Sequence, residues 1–344
     1  MFLFKRLLNT CMVLTGVILL VFLIFQVLGD PAKLIAGQSG DKNTMDNIRK
    51  SLYLDQPKYK QLILFVNDIS PISIYDSIEL KTKELHGFFI GTQKVIGIKL
   101  PYFGKSYQSK KDVLSILLKA FPLTMLLAFS SIIFATIIGI LLGIVSAINK
   151  NKAIDHIGIF ISNLGVSTPS FFLAIIIAYL FGIILHQYTG LNFTGSLYEI
   201  DEVTGDRIIV LKNLILPALT LGIRPLSVIT QMTRSSMIDT MNLDFIRTAK
   251  AYSIHHNKII LHYALRNAIP PVITTILGWF AELLTGAFFV EYVFGWNGLG
   301  KITVDALSKL DYPLVLGSVI LSAFIFSFMN ILTDILQNKM NPNI

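Results

Sequence analysis

The chain has 344 residues, 53% of them hydrophobic and only 15% charged, with a mean hydropathy of +0.66, which excludes a set of water-soluble domains and indicates an integral membrane protein. A net charge of +8 suits a membrane surface, and nothing else in the sequence supports nucleic-acid binding. The single cysteine, Cys11, lies in the first apolar run and excludes a disulfide framework or a cysteine zinc site.

Crossing about 30 Å of hydrocarbon at 1.5 Å per residue takes about 20 mainly apolar residues. Six runs reach that length: Leu7 to Leu28, Pro122 to Ile148, Ile157 to Leu185, Leu211 to Met232, Pro270 to Val293 and Leu314 to Leu336. The fourth is the weakest, because Pro217, Arg224 and Pro225 interrupt it. Lys5 and Arg6 precede the first run as they would in a cleavable leader, but the run is too long for an h-region and only Gly29-Asp30-Pro31 follows it, so a retained anchor is expected. Placing the N-terminus inside puts ten basic residues in the cytoplasm (Lys5, Arg6, Lys150, Lys152, Arg234, Arg247, Lys250, Lys258, Arg266 and Lys339), against Arg207, Lys212, Lys301 and Lys309 in the short outer loops. The expected fold is therefore all-α and polytopic, with six transmembrane helices, N-in and C-in. It divides into an anchor helix (1–28), a small external subdomain (29–112) with 13 basic and 9 acidic residues, and a five-helix core (113–344) that carries a cytoplasmic loop at 237–266 between helices 4 and 5.

Several motifs suggest chemistry. Gly295-Trp296-Asn297-Gly298-Leu299-Gly300-Lys301 fits seven positions of a phosphate-binding P-loop after the strand-like run Phe288 to Val293, but Ile302 stands where a hydroxyl should bind Mg²⁺, and the loop lies outside. A glycine-rich external turn is the better reading, with Trp296, Gly298 and Gly300 as its markers. His255, His256 and His262 cluster without an acid or cysteine to complete a metal set, and no HExxH or GxSxG pattern occurs, so neither a metal site nor a catalytic residue is expected. An ionisable group at mid-membrane costs roughly 2.5–3.5 kcal/mol even on lenient scales. Arg224 and Glu282 occupy such positions, either as a pair fixing helix register or as groups facing an aqueous path for charged substrates. In the third run, Thr168-Pro169-Ser170 sets a proline among hydroxyls and predicts a kink, for packing or for lining that path.

The most informative stretch is Asp244-Phe245-Ile246-Arg247-Thr248-Ala249-Lys250-Ala251-Tyr252-Ser253-Ile254, followed by His262-Tyr263-Ala264-Leu265-Arg266-Asn267-Ala268-Ile269-Pro270. Phe245, Ala249 and Tyr252 recur at helical spacing, giving a short amphipathic helix with Arg247 and Lys250 at its rim, suited to a groove on a partner or to a membrane surface. At these residues the chain resembles the permease subunits of ATP-driven oligopeptide and dipeptide importers, a branch of the ABC transporters that also contains nickel and metal-chelate systems. The resemblance runs through Phe4 to Leu8, Leu28-Gly29-Asp30-Pro31-Ala32, Leu54-Asp55-Gln56-Pro57, Phe103-Gly104-Lys105-Ser106-Tyr107, Leu216 to Gly222, Thr233-Arg234-Ser235-Ser236-Met237, Ala264 to Ala268, Val290-Glu291-Tyr292-Val293-Phe294 and Asp311-Tyr312-Pro313, in the expected order.

The resemblance implies a multi-pass permease of the bacterial cytoplasmic membrane that binds no cofactor itself. It implies ATP and Mg²⁺ on two cytosolic ATPase subunits, a second homologous permease making a heterodimer, an extracytoplasmic substrate-binding protein and a peptide substrate. Asp244, Phe245, Arg247, Thr248, Ala249, Lys250, Ala251, Tyr252 and Ser253 would form the element that couples the ATPase to the spans. Alternatives are a nickel or metal-chelate permease and, more distantly, a proton-coupled transporter using Glu282. The family usually has glycine at the position of Ser253 and proline at that of Asn297, and its shortest members have less chain than Asn67 to Pro101 provides, an excess expected either to contact the binding protein or to be a tolerated insertion.

Overall fold

The computed structural model describes residues 2–27, 45, 46, 49, 53–83, 85, 87–201, 205–285 and 287–340. The motif Leu28-Gly29-Asp30-Pro31-Ala32 and the N-terminal part of the expected external subdomain lie largely outside them. The chain forms two compact units, Met1–Lys119 with Asp305–Phe324, and Ala120–Val304 with Ile325–Ile344.

In the first unit, α1 (Phe2–Val27) buries Val21 with Val17 and Ile18 against Phe65 and Ile69 of α2 (Lys58–Ile69) and against Leu316 and Ile320. The chain then makes β1 (Ile72–Asp76), α3 (Ser77–Thr82), β2 (Gly87–Ile90) and β3 (Lys94–Lys99), so the expectation of an all-α fold is corrected here. Alternating β-branched residues at Ile72, Ile74, Ile96 and Ile98 favour strands over helix. The sheet is antiparallel in the order β1-β3-β2, with Ile72 opposite Ile98, Ile98 opposite Phe88 and Ile96 opposite Ile90. These apolar side chains are exposed, whereas Ser73, Tyr75, Val95 and Lys99 face inward. There Asp68 accepts hydrogen bonds from Tyr75 Oη and Lys83 Nζ, both at 2.6 Å. The Lys83 ammonium lies 4.9, 5.0 and 5.5 Å from the ring centres of Tyr53, Tyr75 and Tyr102. Buried Asp311 closes the unit by accepting from Ser106 Oγ and from the backbone N–H of Tyr107 at 2.9 Å.

The second unit is mainly helical. Its elements are most of α4 (Val113–Ile148), α5 (Ala153–Ser167), α6 (Ser170–Tyr179), which continues as a π-helical stretch Leu180–Ile184, α7 (His186–Thr189), a hairpin of β4 (Tyr198–Ile200) and β5 (Arg207–Ile209), and α8 (Lys212–Met241). After these come α9 (Asp244–Ala251), α10 (His256–Lys258), a π-helical stretch Ile259–Ala264, α11 (Leu265–Leu284), α12 (Phe288–Phe294), the first turns of α13 (Leu299–Ser308) and the end of α14 (Tyr312–Met340). Gly139 and Gly143 of α4 let its backbone approach α8. A Cβ at Gly139 would stand 2.9 Å from the Ile229 side chain, and one at Gly143 2.8 Å from the Thr230 carbonyl.

Among the described residues, four helices are long and apolar enough to cross a membrane (Val113–Ile148, Lys212–Met241, His256–Leu284 and Tyr312–Asn338), five if the bent pair Ala153–Ser167 and Ser170–Ile184 is one span. In α1 the shorter stretch Leu8–Ile24 is apolar. Two expectations are corrected. The fifth span begins at His256 rather than Pro270 and ends at Leu284, because the helix runs on through the polar turns containing Lys258, His262 and Arg266. Phe288 to Phe294 is helical, not strand-like.

Candidate functional site

The loop after α8 turns at Leu243, whose extended backbone starts α9. Asp244 in the first turn and Lys250 in the last suit the helix dipole. Ile246 and Ala249, three residues apart, are buried with Ile144, Ala147, Met237, Ile259, Ile260, Ala264 and Ala268, which fixes α9 to the ends of the long helices. The buried stripe is therefore centred between Ile246 and Ala249. This corrects the face assigned from Phe245, Ala249 and Tyr252: Ala249 is only 6% exposed and belongs to the core, while Phe245 and Tyr252 are exposed at 39% and 80%. Arg247, Thr248, Lys250, Ala251 and Ser253 are exposed too, and the Arg247 to Asp244 pair, at 3.2 Å on the surface, contributes little.

Ser253 adopts φ +54°. Its N–H donates to the Lys250 carbonyl and that of Ile254 to the Ala249 carbonyl, an arrangement that ends a helix through a left-handed residue. Ser253 thus keeps the geometry for which glycine is the favoured residue.

Arg224 and Glu282 make no ion pair with each other among the described residues. The Arg224 guanidinium carbon lies 6.0 Å from the Trp279 ring centre, its Nε is buried without a hydrogen-bond partner, and Glu282 is exposed. At Pro169 the kink expected in the third apolar run is a bend of 107° between α5 and α6. Thr168, restricted by the proline after it, is extended, and its hydroxyl donates to the Leu164 carbonyl at 2.7 Å. Pro169 caps α6, and Ser170 is its first residue.

The glycine loop is a clasp rather than an exposed contact. Trp296 is fully buried, and its indole N–H donates to the Leu123 carbonyl at 2.9 Å. The backbone N–H groups of Gly300 and Lys301, at the start of α13, donate to Glu291 Oε2 at 2.7 and 3.2 Å, while Thr124 Oγ1 donates to Glu291 Oε1 at 2.9 Å. A Cβ on Gly298 would collide with the Glu291 carboxylate and the Thr124 hydroxyl. The anion that the P-loop-like pattern invites is thus the chain's own carboxylate.

Sequence reasoning missed Asp155. It is buried and takes a fork from Arg234, Nε to Oδ1 at 2.6 Å and Nη2 to Oδ2 at 2.7 Å, with further donors from Ser146 Oγ and the Asn151 N–H. The one signal was an acid among the lysines of Lys150-Asn151-Lys152-Ala153-Ile154-Asp155. No group of three or more His, Cys, Asp or Glu able to hold a metal occurs among the described residues, His255, His256 and His262 included.

Apolar helices of spanning length, with a short amphipathic helix held against their ends, define a multi-pass membrane component. Residues 139–344 match the family described as binding-protein-dependent transport system inner membrane component, and residues 1–128 match the N-terminal region of the same kind of membrane component. The chain belongs to this family and is a multi-pass protein of the cytoplasmic membrane. It is 32% identical, over 97% of its length and 94% of the relative's, to the probable D,D-dipeptide transport system permease protein DdpB of Escherichia coli K12. It is 33% identical to the glutathione transport system permease protein GsiC of Salmonella choleraesuis over 99% and 97% of the two chains. It is 37% identical to the dipeptide transport system permease protein DppB of Haemophilus influenzae over 70% and 76%.

Proposed function

We propose that this chain is one permease half of an ATP-driven importer that carries dipeptides or oligopeptides across the cytoplasmic membrane by alternating access. The observation that carries this reading is α9, anchored from one side by Ile246 and Ala249 and presenting Phe245, Arg247, Lys250 and Tyr252 to a partner. A cytosolic ATPase with an acidic-rimmed apolar groove suits that surface. Closure of two ATPases would push α9, and the buried cluster would pass the movement to α4, α8 and the helix His256–Leu284. The reading takes six spans with both termini inside, by adding α1 and counting the broken pair as one, and is supported by the basic residues that this topology keeps in the cytoplasm. It also takes a second homologous permease and an external binding protein that supplies the peptide, with ATP and Mg²⁺ held by the ATPases.

Crosslinking tests it. In a Cys11→Ser background, a Tyr252→Cys chain in intact transporter should crosslink to the ATPase subunit in an ATP-sensitive manner. Equal crosslinking with and without nucleotide, or none, would refute α9 as the coupling element.

A further inference from the structure

α8 is a spanning helix with a polar seam. Arg224, Gln231, Ser235 and Asp239 follow one another at steps of seven, four and four residues, so they share one face, and none of them is buried. Val228, one turn past Arg224, is the apolar residue of that face, and it too is only partly covered. The opposite side, including Ile229, Thr233 and Met237, is buried, and Leu221 on the seam's flank is buried as well. Arg224 lies twelve residues past Lys212, roughly 18 Å along the helix at 1.5 Å per residue. A guanidinium at that depth is expensive to hold in hydrocarbon, and this one has no carboxylate partner among the described residues and a desolvated Nε donor left unfilled. Its neighbour is the Trp279 ring, at 6.0 Å. Glu282 stands three residues beyond Trp279 on the same face of α11 and is exposed, with no ion partner among the described residues.

We propose that Arg224, Trp279 and Glu282 form a subsite on the translocation path that takes the two charged ends of a short peptide, a proposal that rests on the permease reading above. The planar guanidinium receives the peptide's α-carboxylate, which its fork of donors matches, and Glu282 receives the α-ammonium. The indole holds the guanidinium from its side. Gln231 and Ser235 continue the seam with amide and hydroxyl groups for the peptide backbone. Of these, Gln231 also donates to Asn163 of α5 at 3.1 Å.

The test uses the complete transporter in cells. In a Cys11→Ser background, which leaves this chain without cysteine, the Val228→Cys variant is labelled from outside with an anionic and a cationic methanethiosulfonate, and the rate ratio is normalised to that of free cysteine. Cysteine is close to valine in size, so the face keeps its shape and the thiol sits one turn from the guanidinium. With Glu282→Gln added, so that the guanidinium is the charge nearest the thiol, the anionic reagent is expected to be favoured about tenfold, the least that a focused positive field produces. Arg224→Lys should keep that preference and Arg224→Gln should abolish it, and trialanine should slow labelling more than trialaninamide does. A ratio near unity with Arg224 present, a ratio unchanged by Arg224→Gln, or failure of the Val228→Cys chain to label would overturn the proposal. Trialanine uptake by the unaltered transporter is measured alongside. Absent uptake with the anion preference intact would refute the peptide-permease reading while leaving the anion site standing.

Discussion

Ser253 holds a left-handed backbone at φ +54°, which costs a residue with a Cβ about 1 kcal/mol relative to glycine. Ser253→Gly should therefore raise the thermal unfolding midpoint of the purified transporter without lowering uptake, and a lower midpoint would contradict this account of the turn. Asp155 is the opposite case, a fully buried carboxylate whose hydrogen bonds converge from Arg234, Ser146 and Asn151. Removing one partner of a buried pair typically costs about 3–5 kcal/mol, so Asp155→Asn should sharply reduce the folded protein recovered from membranes, and normal recovery would argue against the role given to this pair. Lys99 adds a pH dependence. Burial pulls it down to about 8 from 10.5, opposed by Asp68 and aided by Lys83. The folded state then binds this proton less tightly than the unfolded chain. The penalty is fully present below pH 8 and is relieved as pH rises towards 10.5, so Lys99 makes stability increase across that window. Lys99→Met should remove this rise from unfolding curves recorded between those limits, and an unchanged slope would exclude Lys99 as its source.

Elements were legible where local pattern decides them. Because both signals are local in the chain, the apolar runs marked the long helices and the proline after Thr168 marked where the chain bends, though as a kink rather than the 107° turn between α5 and α6. The phase of α9 was not legible, because Phe245, Ile246 and Ala249 fit either side of a short helix and only contact with Met237 and Ile259 chooses. The choice changes the experiment. Ala249→Asp would put a charge into the packed cluster and reduce protein level, whereas Phe245→Asp should leave the level normal and cut ATP-coupled uptake at least tenfold by disrupting an exposed anchor. Normal uptake by Phe245→Asp would show that this face contacts no partner. The sheet was not read from the sequence: the alternation at Ile72, Ile74, Ile96 and Ile98 is confined to short runs in a polar segment, and it is inverted, apolar side out, around the Asp68, Lys83 and Lys99 network. Deleting Ile74 to Gly91 would remove β1's outer half, α3 and β2 together and uncover that network. Polar replacement of Phe88, Ile90 and Ile98 is therefore the cleaner probe of contact with the binding protein.

At the scale of the molecule, three buried carboxylates clasp segments far apart in the chain. Asp155 meets Arg234 79 positions away, Glu291 meets Thr124 167 away and Asp311 meets Ser106 205 away. Glu291 and Asp311 were both visible within motifs of the family resemblance, but their partners follow only from the fold, since no local spacing links a glutamate at 291 to a threonine at 124. Arg224 and Glu282 stood out by charge alone, and it took the fold to set Trp279 beside the guanidinium. On the proposed function, these helices carry peptide when an ATPase drives α9. Uptake of a labelled tripeptide and of nickel, free and chelated, into cells lacking the gene and then restored with wild type or Phe245→Asp tests it most directly. The account predicts ATP-dependent peptide uptake rescued by wild type and not by the variant. Rescue of nickel or chelate uptake alone, or equal rescue by both chains, would contradict it.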